Sequence, residues 1–173
     1  GVIYLDGNSL GPLPKNVLER VTRTIGQEWG GELIRAWNSA GWISMPQRIG
    51  DRIGTLIGAP AGTVATGDTL SIKVFQALAA ALKMRPDRKV ILSDNGNFPS
   101  DLYMAGGLID TIAKDYRLLT PDPEAVVDAI DETVAVVMLT QVDYRTGRLH
   151  DMAAVTRKAH EAGAVMVWDL AHS

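Results

Sequence analysis

Cysteine is absent from this sequence, which excludes a disulfide framework and any thiolate metal site. Aromatic residues are sparse, with only 2 Phe, 4 Tyr and 4 Trp in 173 residues, so a ring placed in a polar loop is a feature to trace individually. No apolar run reaches the roughly 20 residues that a membrane-spanning helix needs. The first residues, Gly1 to Asp6, have neither the basic flank nor the apolar stretch of a signal peptide. Neither sign of charge dominates: 17 Lys and Arg against 20 Asp and Glu leave a net charge of −3. That balance offers no nucleic-acid surface and no polybasic membrane patch. Also missing are a Gly-x-Gly-x-x-Gly fingerprint, a Walker phosphate loop and a Gly-x-Ser-x-Gly elbow, as are internal repeats and low-complexity segments. There is no initiator Met, and the expectation is that residues preceded Gly1. A reducing, cytoplasmic location fits the lack of cysteine.

What is present reads as an ordinary globular core. Hydrophobic residues make up 46% of the chain and mean hydropathy is +0.05, and the length suffices for one domain. A dense turn cluster, Asp6-Gly7-Asn8-Ser9-Leu10-Gly11-Pro12, precedes a helical pattern over residues 14–29, where Pro14 sits near the first turn and Val17, Val21 and Ile25 share a face. A second helix is predicted over 42–57 from Ile49, Ile53, Leu56 and Ile57. From there strands and helices alternate. Strands are predicted at 63–66, 89–93, 134–140 and 164–168, with a short one at 116–119. Helices are predicted at 69–83, 99–112, 123–130 and 151–162. Such an order implies an α/β fold, a mainly parallel sheet with helices on both faces.

In sheets of this kind ligands bind beyond the C-terminal ends of the strands, so the residues there carry the functional reading. After 63–66 come Gly67-Asp68-Thr69-Leu70-Ser71, whose hydroxyls and helix-start N–H groups can form an anion site or an ordinary N-cap by Asp68 or Thr69. After 89–93, Phe98 lies in a polar loop, where it can stack on a planar ligand or staple the next helix. Thr140 closes the most apolar strand. After 164–168 come Asp169 and His172; Asp169 can cap a turn or pair with a cationic heterocycle. His150 and His160 have no second ligand at metal spacing and read as surface or capping residues. Tyr144-Arg145-Thr146-Gly147 reads as a turn. Trp29, Trp37 and Trp42, among Gly30, Gly31 and Gly41, suit either a core or a mobile substrate loop.

Four longer stretches carry a resemblance: Leu5-Asp6-Gly7-Asn8-Ser9-Leu10-Gly11, Trp37-Asn38-Ser39-Ala40-Gly41-Trp42, Phe98-Pro99-Ser100-Asp101 and Trp168-Asp169-Leu170-Ala171-His172-Ser173. From about Tyr4 to Ser173 the chain resembles the kynureninases, pyridoxal-phosphate (PLP) enzymes of the fold-type I aminotransferase superfamily. The resemblance implies hydrolysis of L-kynurenine or 3-hydroxykynurenine to anthranilate or 3-hydroxyanthranilate and L-alanine, in tryptophan catabolism or on the way to NAD. It also implies a homodimer. By resemblance, Leu70 and Ser71 hold the phosphate, Phe98 stacks on the pyridine ring and Asp101 lies in the cofactor's hydrogen-bonding shell. Thr140 then meets the phenolic side of the ring, Asp169 pairs with the pyridinium nitrogen, and His172 bonds near cofactor or substrate. Residues 1–58 are expected to form an N-terminal segment, and 59–173 the first part of a PLP-binding domain that stops before the family's Schiff-base lysine. Lys73, Lys83, Lys89, Lys114 and Lys158 do not occupy that lysine's place. The alternatives are another class-V-type PLP enzyme, transaminase-like or a cysteine desulfurase, whose family usually has His and Gln where this chain has Phe98 and His172, and a non-catalytic α/β fragment.

Overall fold

The computed structural model describes every residue except Asn8 and Ala113, so the Asn8 portion of the first turn cluster lies outside the described residues. The chain forms two compact units, Gly1–Asp68 and Thr69–Ser173.

In the first unit α1 (Val17–Arg23) runs into a π-helical turn at Thr24–Trp29, followed by the short α2 (Gly30–Glu32), a 3₁₀ turn at Leu33–Arg35, α3 (Ala36–Ser39) and α4 (Met45–Ile57). Glu28 is the polar hub. It accepts hydrogen bonds from Arg20 at 2.7 and 3.2 Å and from Trp42 Nε1 at 2.8 Å. The Arg20 and Trp42 hydrogen bonds hold its carboxyl below the usual carboxylate range. The strand predicted at 63–66 does not form. Its backbone runs instead along α4, where Thr66 N donates to Pro46 O at 3.1 Å and Gln47 Nε2 donates to Val64 O at 3.2 Å. Gly50 permits this approach, because a Cβ there would lie 1.9 Å from Val64 O. Val64 and Thr66 thus find hydrogen-bond partners on α4, and Thr63 finds one at Pro60, in place of a strand ladder. The first compact unit runs to Asp68.

The second unit is a four-stranded parallel sheet in the order β2-β1-β3-β4. Its elements are α5 (Leu70–Met84), β1 (Val90–Leu92), α6 (Pro99–Ile112), β2 (Arg117–Leu119), β3 (Val134–Thr140), α7 (Met152–Glu161) and β4 (Val165–Asp169). All seven residues of β3 are buried, as a central strand covered on both faces demands. One face packs Ile91, Val136 and Met138 against Val74, Leu78 and Leu82 of α5 and Ala105 and Leu108 of α6. The other packs Leu92, Val137 and Leu139 against Val126, Ile130 and, on α7, Val155 and Ala159. The β1–β3 register skips Ala135, since Val90 pairs with Val134 and Ile91 with Val136. This bulge reverses the alternation and puts Val134 on the same face as Val137. The helix predicted at 123–130 shrinks to a 3₁₀ turn at Pro123–Ala125 followed by turns. The β-branched pair Val126-Val127 is a weak helix former, and Val126 and Ile130 are buried as anchors of this connection.

Successive connections leave β1 toward β2 and β3 toward β4, in opposite directions. The strand order therefore reverses between β1 and β3, and a crevice opens there beyond their C-terminal ends.

Candidate functional site

Four chain segments meet at that crevice: the loop 93–98 after β1, Thr140 with the hairpin 141–150 after β3, the end of β4, and the first turn of α6. Thr140 Oγ1 lies 3.2 Å from Asp169 Oδ2 and also hydrogen-bonds Asn97 Oδ1. The Asn97 amide donates to Ser93 Oγ at 2.9 Å, and its Oδ1 accepts the Phe98 N–H at 2.7 Å. Asp169, 4% exposed, accepts the Ala171 N–H on Oδ1 at 2.8 Å. The ends of β1, β3 and β4 are thus joined by one polar chain through Asn97, Thr140 and Asp169.

Asp101 stands beside this chain and is fully buried. Neither of its carboxylate oxygens finds a hydrogen-bond partner among the described residues, and the same holds for His172 Nδ1. Burial, and then the nearby Asp169 carboxylate, push the Asp101 pKa up from 3.8 to about 7. Two acidic groups with unused acceptor capacity in a dry site fit a cationic N–H donor.

Rings form the outer wall. Phe98 meets Tyr144 edge-on, with centroids 4.9 Å apart and planes at 64°. His172 lies 5.7 Å from Phe98 and 6.0 Å from Tyr144. On the α5 side a cavity of about 130 Å³ is lined by Leu70, Lys73, Val74, Met138, Trp168 and Asp169, among others. Thr69 takes the N-cap position of α5 with extended backbone but makes no side-chain capping bond. The N–H groups of Leu70 and Ser71 lie in the first turn of α5, where an α-helix has no intrahelical acceptor for them and an anion can bind.

Of the residues singled out in the sequence, Phe98, Asp101, Thr140, Asp169 and His172 gather in this crevice, and Leu70 shares a cavity with Asp169. Ser71 joins them only through the first turn of α5. The reading of His150 as a surface or capping residue is corrected. Its N–H donates to Gln141 O at 3.0 Å and closes the hairpin, which turns the ring inward to 9% exposure, where Nε2 lies 2.8 Å from Asp94 Oδ2. Sequence reasoning gave no role in the site to Asn97 and Asp94, and read Tyr144 only as part of a turn. Their one sequence signal is position, since each follows a strand on the ligand-binding edge.

A family model for class-V aminotransferases matches residues 3–173. The chain belongs to the aminotransferase class-V family. Within the class-V relatives, a kynureninase of Burkholderia pseudomallei is 53% identical over the whole chain, and one of Pseudomonas fluorescens is 52% identical. The chain spans 43% of the length of each. Among solved structures, a NifS-like protein superimposes with a TM-score of 0.76 at 12% identity, over 99% of this chain and 49% of that one. A C-DES variant with glycine covalently linked to its PLP cofactor gives 0.76 at 17% identity, over 98% and 47%. These likenesses establish the class-V fold for the chain: a parallel sheet of the PLP-dependent fold-type I kind with a helical N-terminal segment.

Proposed function

We propose that this chain is part of a PLP-dependent hydrolase that cleaves the Cβ–Cγ bond of L-kynurenine or 3-hydroxykynurenine, giving L-alanine and the corresponding anthranilate. The observation that carries the reading is 53% identity with a kynureninase along the entire chain. The crevice supports it with groups suited to each part of PLP. In this reading the α5 start, with the Leu70 N–H and the Ser71 hydroxyl, holds the phosphate. Phe98 stacks on the pyridine ring, and Thr140 meets its phenolic side. Asp169 accepts from the ring nitrogen and keeps it protonated, while Asp101 adds a second acceptor in the same dry pocket. His172, whose Nδ1 has no partner among the described residues, faces the ring-stacking residue and can hydrogen-bond the cofactor or the substrate. When bound, PLP supplies an electron sink for the pair released as the C–C bond breaks.

The Schiff-base lysine of the family belongs to sequence beyond Ser173 in this proposal, within the part of the relatives that the chain does not span. We further propose a cytoplasmic homodimer acting in tryptophan catabolism, the kynurenine route toward NAD. Among the described residues no helix is long and apolar enough to cross a membrane. The test is turnover by the complete polypeptide, with anthranilate release followed from kynurenine and sulfide release from cysteine. Anthranilate formation without sulfide supports a kynureninase. Sulfide without anthranilate overturns it in favour of a desulfurase, and neither product favours a non-catalytic module.

A further inference from the structure

A buried acid and a buried base remain outside the site just described. Asp94 is 2% exposed and follows β1. Its Oδ1 accepts the Gly96 N–H at 2.8 Å, which turns the loop so that Asn97 and Phe98 enter the crevice. Its Oδ2 is 2.8 Å from His150 Nε2 and 3.6 Å from an Arg148 guanidinium nitrogen. Another nitrogen of Arg148 lies 3.2 and 3.4 Å from the two ring nitrogens of His150, so the guanidinium also lies against the imidazole. A second tie runs through Asp143, whose Oδ2 is 3.3 Å from Arg145 Nη2. That same nitrogen reaches Gly96 O at 3.5 Å. A Cβ at Gly96 would come within 3.1 Å of Arg145 and 3.3 Å of Asp94, so both side chains pack closely against this loop.

Together these contacts fasten the hairpin 141–150 to the loop 93–98. At the hairpin tip is Tyr144, whose ring meets the edge of Phe98. Arg145 adds a cation–π contact to that ring, 5.6 Å from its centroid. Tyr144 is 45% exposed, so burial alone does not hold it. Its place is set by the hairpin beneath it.

We propose that Tyr144 is a positioning residue that fixes the tilt of Phe98, and that the Asp94–His150 pair anchors Tyr144 by clamping the hairpin. The proposal rests on the reading that Phe98 stacks on the PLP ring. Free of its edge contact, Phe98 would sample other rotamers and stack less well, although no group touching the cofactor would have been removed.

The experiment uses the complete polypeptide and two readouts besides activity: the PLP dissociation constant and the induced circular dichroism of bound PLP. Tyr144→Leu is expected to weaken PLP binding roughly threefold to tenfold, the range an aromatic edge contact supports, and to alter the dichroic band. Tyr144→Phe, which keeps the ring, should restore both. His150→Gln should shift both readouts in the same direction, and the double variant should add little, because both changes release one contact. If His150→Gln does not fold, Arg148→Met loosens the same clamp from its half-exposed side and takes its place. An unchanged dissociation constant and dichroic band in Tyr144→Leu overturn the role of Tyr144. Full additivity of the two changes overturns the anchor. Failure of the unaltered polypeptide to bind PLP would instead overturn the functional reading on which the proposal stands.

Discussion

Replacing Asp101 by Asn should stabilise the PLP-free protein at neutral pH and weaken its hold on PLP. Asp101 is fully buried, its carboxylate oxygens have no hydrogen-bond partner among the described residues, and its pKa is pushed from 3.8 to about 7. The folded state therefore keeps a proton that the unfolded chain releases once pH passes the ordinary carboxylate value. Between those two values the folded form binds more protons than the unfolded one, so stability falls as pH rises. The loss is absent below about pH 4 and complete above pH 7. At about 1.4 kcal/mol per pH unit, the gap amounts to a ceiling of roughly 4 kcal/mol. Asn resembles the protonated carboxyl and does not titrate. The stability difference between Asp101→Asn and the unaltered protein should thus be small near pH 4.5 and grow by about 3 kcal/mol toward pH 8. Urea titrations of the complete apoprotein at several pH values measure it. PLP binding should run the other way. A ring N–H⁺ beside the pair favours ionised Asp101, so below pH 7 binding expels the proton and tightens up to about tenfold per pH unit. Asp101→Asn should lose that slope. A stability difference that stays flat between pH 4.5 and 8 would refute the reasoning.

Two further perturbations test other parts of the structure. Asp169→Ala removes the carboxylate that bonds the Ala171 N–H and lies beside Thr140. It is expected to lower kcat by about a hundredfold or more while PLP binding weakens less than tenfold, because the lost group acts on ring charge more than on anchoring; a near-normal kcat in purified, PLP-saturated variant would sink this assignment. In the first unit, Gly50→Ala forces a Cβ to within 1.9 Å of Val64 O. It should cost about 1–3 kcal/mol and speed proteolysis within residues 59–68, and an unchanged melting temperature and cleavage pattern would show that the helix and this segment are not packed so tightly.

The sheet was legible where apolar runs are short and continuous. Val134–Leu139 reads as a strand and is buried along its whole length, Val165–Trp168 reads as a strand and is half-buried at the sheet's outer position, and the helices between strands carry their apolar residues at helical spacing. Thr63-Val64-Ala65-Thr66 has the same β-branched composition yet is no strand, because Gly50 and the start of α4 offered its backbone another set of partners. A four-residue pattern does not encode that choice. The crevice was legible to the same degree. Phe98, Thr140, Asp169 and His172 could be named because each ends or follows a strand on one sheet edge. Tyr144 was legible as a turn residue but not as a ring against Phe98.

His150 shows why the remainder was not readable. Its partner Asp94 is 56 positions away, and nothing local distinguishes a histidine that closes a hairpin over a buried carboxylate from one on the surface. The pairing exists because β1 and β3 are neighbours, and that neighbourhood is decided by the whole sheet. Asp101 is the opposite case: it is close in sequence to Phe98, and the resemblance named it, but its acidity is perturbed first by burial and then by Asp169 on β4, and both come from the packed sheet. Each of these pairs is created by strand order. The same strand order brings two acids into one dry crevice, a poor arrangement for stability and a good one for a cation that has to be kept protonated. On the proposed reading, stability lost at Asp101 is the measurable trace of the site's chemistry, and it should disappear with the charge.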